Sequence, residues 1–72
     1  MNYGTKYDCH DKYHSQVRDE FESWVLLNYE HRPLEVVTGK SEDMRQIVIK
    51  ILEEHNMSHI TFPHNYGAII VI

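Results

Sequence analysis

The chain has 72 residues, of which 42% are hydrophobic and 25% charged, and its eleven acidic and seven basic residues give a net charge of −4. That describes one soluble globular domain over residues 1–72, with no room for a second and a charge balance unsuited to strong non-specific binding of nucleic acid. Cys9 is the only cysteine, which excludes an intrachain disulfide and a multi-cysteine zinc site.

No stretch approaches the ~20 apolar residues that span a bilayer. Met1-Asn2-Tyr3-Gly4 lacks a basic region followed by an apolar run, so no signal peptide is read there. The expectation is a cytoplasmic protein with a flexible N-terminus over residues 1–4.

Thr5 to Cys9 reads as a short strand in which Tyr7 and Cys9 are the apolar positions. Asp11 and Lys12 make a polar turn, and Ser15 is placed to cap a helix whose Val17, Phe21, Trp24 and Val25 fall at helical spacing. Arg32-Pro33 ends that helix, because proline cannot continue one and disfavours helix at the preceding residue. Leu34 to Thr38 is the second strand, with Val36 and Val37 expected to be covered on both faces.

Gly39 turns the chain, and Ser41 followed by Glu42 and Asp43 favours a helix start. Met44, Ile47, Val48, Ile51 and Leu52 then recur at i, i+3, i+4, i+7 and i+8, the cleanest periodic signal in the chain. Asn56 is a helix stop. Ser58 to Phe62 reads as a third strand, residues 63–67 as a turn, and Ala68 to Ile72 as a fourth strand paired to the third. The result is βαβαββ: an α/β (α+β) two-layer sandwich, with a four-stranded mixed sheet and two helices on one face.

Three islands stand out at strand ends: Tyr7-Asp8-Cys9-His10, Thr38-Gly39-Lys40-Ser41 and Gly67-Ala68-Ile69-Ile70-Val71. Their order and the βαβαββ pattern resemble the Smr (small MutS-related) domain over roughly residues 5 to 72. The resemblance matches the family's Leu-Asp-x-His, His/Thr-Gly-x-Gly and Gly-Ala-Thr-x-Val motifs to those islands. It departs at Asp11 and Ser41, which stand where the family has glycines, and at a glycine-rich run reduced to Gly67. The resemblance implies nucleic-acid binding, RNA or DNA, and endonuclease activity on RNA or structured DNA.

In that reading His10 is the general acid or base and Asp8 its orienting carboxylate. Thr38, Gly39, Lys40 and Ser41 meet phosphate, with Arg45, Tyr66 and Gly67 completing the binding surface and Tyr66 exposed for stacking. As alternating strand residues, Asp8 and His10 would share a face. The same Asp-x-His also fits a strand-end aspartate that caps a turn beside a surface histidine. The pairs His10/His14 and His55/His59 straddle helix ends, so neither predicts a zinc site. A divalent cation (Mg²⁺ or Mn²⁺) at Asp8, His10 or Asp11 is the cofactor that the pattern allows. The alternative from another class is a non-catalytic protein-interaction or inhibitor module, or a homodimer, that keeps the fold without the activity.

Overall fold

The computed structural model describes residues 6–10 and 12–72. Its elements are β1 (Lys6–Asp8), α1 (His14–Asn28), a 3₁₀ turn over Tyr29–His31, β2 (Leu34–Val37), α2 (Glu42–Glu54), β3 (His59–Ile60) and β4 (Ala68–Val71). The strands form one mixed sheet in the order β1-β2-β4-β3, with β1 and β2 parallel and β4 antiparallel to both of its neighbours. This is the two-layer α+β sandwich expected, with the two helices packed on one face. Thr5 and Asp11 lie outside the described residues.

Residue alternation sets the two faces of the sheet. Tyr7, Val36 and Ile69 are paired across three strands and all are buried, as are Leu34 and its partner Val71. Against them α1 sets Val17, Phe21 and Val25, and α2 sets Met44, Val48 and Leu52. Fully burying one aliphatic or phenyl side chain contributes roughly 1.5–3 kcal/mol, so this layer holds most of the stability. Tyr7, Phe21 and Trp24 meet with ring centroids 5.1–5.9 Å apart. Val37 points to the other face and is only half-buried, because no second helical layer covers it. Of the two valines expected to be covered on both sides, only Val36 is fully buried.

Local chemistry fixes the helix ends. α1 begins at His14, so Ser15 is its second residue and not its cap. Gln16 does that work, its Oε1 accepting from the Tyr13 amide at 3.4 Å. Ser41 caps α2 as expected, its hydroxyl accepting from the Met44 amide at 3.2 Å. Asn56 ends α2 at φ 57°, and the Met57 amide returns to the Leu52 carbonyl at 2.9 Å. That is the left-handed cap asparagine tolerates better than most residues. The third and fourth strands are shorter than read, yet the Ile72 amide still donates to the Ser58 carbonyl at 3.1 Å.

Candidate functional site

The parallel strands β1 and β2 end side by side, and the chain enters β4 at the same end. Asp8 pairs with Val37, Val37 pairs with Ala68, and the Cys9 amide continues the ladder to the Val37 carbonyl at 2.8 Å. The Thr38 and Gly39 amides both donate to the Gly67 carbonyl, at 2.8 and 3.0 Å. The three islands therefore form one rim at the carboxyl ends of the parallel pair, where open α/β sheets commonly place ligands.

Within the rim, Asp8 and His10 are both exposed. The strand stops at Asp8, so the face-sharing rule does not extend to His10. The Asp8 carboxylate accepts from the His10 backbone amide at 2.8 Å. That bond holds the turn on which His10 stands. Cys9 points inward and is 2% exposed, and burial pushes its thiol up to about 11. Beside it Tyr7 is pushed up to about 12, mainly by burial and then by the Glu20 charge. Its hydroxyl has no hydrogen-bond partner among the described residues.

The β2–α2 turn uses most of its polar groups internally. Thr38 is buried, its hydroxyl donating to the carbonyls of Gly39 at 3.0 Å and Gly67 at 3.3 Å. The Gly39 amide is held by Gly67 and the Ser41 hydroxyl by its cap. Of the four residues assigned to phosphate, Lys40 is the one that presents an exposed cation. Gly39 sits at φ +66°, a conformation that glycine adopts freely.

Arg45 departs furthest from its expected role. It is 7% exposed, and its guanidinium donates to the Tyr66 carbonyl at 3.1 Å and the Thr61 hydroxyl at 3.3 Å. It also lies 4.0 Å from the centre of the Tyr66 ring, covering one face of it. The Tyr66 hydroxyl donates to Glu42 at 2.5 Å, and Gln46 donates to the other oxygen of that carboxylate at 2.7 Å. These bonds, Tyr66 first, hold the Glu42 carboxyl below its usual range, while the same contact raises Tyr66. Arg45 is thus an internal clamp for the β3–β4 loop and not a phosphate contact. Sequence reasoning missed this network; its legible trace was the Glu42–Arg45 spacing of i, i+3.

Among the described residues of the three islands and the start of α2, Asp8, Glu42 and Asp43 are exposed acids and Lys40 is an exposed cation. Among the described residues no group of three His, Cys, Asp or Glu side chains could hold a metal ion. Likewise, none of the described helices is long and apolar enough to cross a membrane. A cleft of about 400 Å³ lies between the helices, its lining including Arg18, Glu22, Gln46, Lys50 and Glu54, and it contains none of the candidate residues, although Gln46 also bonds Glu42. In comparisons with known proteins, no family model, no curated protein and no solved structure matches this chain.

Proposed function

We propose that this chain is a Smr-like nucleic-acid-binding domain whose ligand meets the strand-end rim, with phosphodiester cleavage as the finer form of that activity. The observation that carries the reading is the convergence of the three islands, residues 7–10, 38–41 and 67–71, at one end of the sheet through the bonds of Cys9, Thr38 and Gly39. In the cleaving form, the His10 imidazole takes the proton from the attacking oxygen and returns one to the leaving oxygen. Asp8 supports this as a positioning residue, fixing the turn on which His10 stands. Lys40 supplies the charge facing the phosphate.

A gel assay against single- and double-stranded RNA and DNA, with and without Mg²⁺ or Mn²⁺, tests both levels. His10→Ala is expected to abolish cleavage while leaving the thermal melt within a few degrees; equal cleavage by both proteins removes His10 from the chemistry. Lys40→Ala is expected to weaken binding and lower the salt slope by about one, and an unchanged slope removes Lys40.

The second reading is a protein-interaction module without cleavage. It is favoured by the uncovered sheet face, where Ile60 pairs with Ile70 and Ile60 and Ile72 remain 37% and 48% exposed. Absence of binding to every nucleic acid in the same assay would select it.

A further inference from the structure

The β3–β4 loop, residues 61–67, turns aromatic rings toward solvent. Phe62 and Tyr66 are 44% and 47% exposed, and His64 between them is exposed as well. The Phe62 and His64 rings stand beside each other with centroids 5.7 Å apart and planes tilted by 31°. Elsewhere in the molecule Tyr7, Phe21 and Trp24 pack into or against the core, as large rings ordinarily do.

The loop is also rigidly built. The Asn65 amide bonds the Phe62 carbonyl at 3.0 Å, and the Ala68 amide bonds Asn65 at 3.2 Å. Arg45 grips one limb at Thr61 and the other at Tyr66 from beneath. The Tyr66 ring, held by Arg45 on one face and by Glu42 at its hydroxyl, loses little freedom when a ligand arrives, which favours contact by stacking.

Stacking narrows the ligand further. Duplex and single strand both bring phosphates, but in a duplex the base faces are already covered by their neighbours. An unpaired base instead offers a π-face to any exposed ring, whatever its sequence. Resting on the nucleic-acid reading above, we propose that the β3–β4 loop is a stacking platform for unpaired bases. Phe62 with His64 forms one seat, and the Tyr66 face turned away from Arg45 forms the second. The ligand class is then a single strand, or an unpaired segment of a folded one, in preference to a duplex.

Fluorescence anisotropy of the full chain with labelled short oligouridine, oligothymidine and a duplex of equal length tests this. The single strands are expected to bind at least tenfold more tightly than the duplex. Phe62→Ala is expected to lower single-strand affinity about tenfold, as loss of one stacked base does, with an unchanged thermal melt because the ring is outside the core. Lys40→Ala is expected to weaken both ligands and keep the preference between them. A greater Phe62 effect on oligouridine assigns RNA, and on oligothymidine DNA. Duplex binding as tight as single-strand binding, or a Phe62→Ala protein that binds like wild type, overturns the platform, and continued sensitivity to Lys40→Ala then leaves the rim reading standing. Failure to bind any of the three overturns both.

Discussion

At the end of β1 the side-chain bond is local, Asp8 accepting from the His10 amide two residues away, whereas at the end of β2 the Thr38 hydroxyl reaches Gly67, 29 positions along the chain. Around that second contact Arg45, Thr61, Tyr66, Glu42 and Gln46 form a connected set of bonds. One half of the rim thus carries the exposed Asp8 and His10 on a turn, and the other is a cross-linked scaffold whose polar groups mostly serve one another. Groups that hold the fold together have little left for a ligand. Under the proposed function the rim's chemistry is assigned to His10, Lys40 and the exposed rings, while Arg45 holds Thr61 and Tyr66 in place.

The sharpest way to break the contrast is Arg45→Ala. It removes a buried guanidinium with two hydrogen bonds and a ring contact, and is expected to cost about 2–4 kcal/mol, lowering the melting temperature of a domain this size by roughly 10–20 °C. A loss of only a degree or two would mean that the loop holds without its clamp.

The inner side of β1 gives the next effect. Cys9 and Tyr7 hold their protons more tightly folded than unfolded, at about 11 and about 12. The stability this contributes is intact below the ordinary values of 9.0 and 10.0 and is lost as pH rises through the folded ones. Melting temperature followed from pH 8 upward is expected to fall by several degrees, and Cys9→Ala to flatten the earlier part of the fall. At neutral pH the Cys9 thiol should react slowly with a thiol reagent until denaturant is added.

The two glycines make a finer comparison. Gly39→Ala forces a side chain onto φ +66°, at a cost of about 1–2 kcal/mol although nothing lies within 4 Å of the added carbon. At Gly67 the added carbon would meet Gly39 backbone atoms at 3.5 Å or more, ordinary contact, so Gly67→Ala is expected to melt close to wild type. Paired thermal melts decide it, and equal losses would contradict the assignment of strain to Gly39 alone. The smallest expected change is Asp8→Ala, which loses one exposed local bond worth about 0.5–1 kcal/mol. In a cleavage assay it should change the rate more than the melt if the turn positions His10.

The fold was legible wherever neighbouring residues decide it. α2 announces itself through Met44, Val48 and Leu52, its start through Ser41 and its stop through Asn56. The start of α1 was less so, because Gln16 reaching back to the Tyr13 amide leaves Ser15 no capping role. The third strand read as five residues, Ser58 to Phe62, and shrinks to two partly because Thr61 turns toward Arg45 and Pro63 follows soon after. For the site, the islands themselves were readable, but their uses were not. An arginine one turn into a helix after a Gly-Lys turn looks like a phosphate contact until the loop that buries it arrives from Thr61 and Tyr66. Long-range partners of that kind leave no local signature.

The place of β4 in the sheet has a consequence for how the molecule comes into being. It follows the other three described strands in sequence and yet is an interior one, flanked by β2 and β3. Until it emerges β3 has no neighbour, and β1 with β2 is a two-stranded ribbon of the kind that is marginal alone. A growing chain can form its helices early but cannot close its sheet until residues 68–71 are available. Folding is then a single late event dominated by distant contacts, and partial chains ending before Gly67 should be short-lived targets for proteolysis and not stable sub-folds.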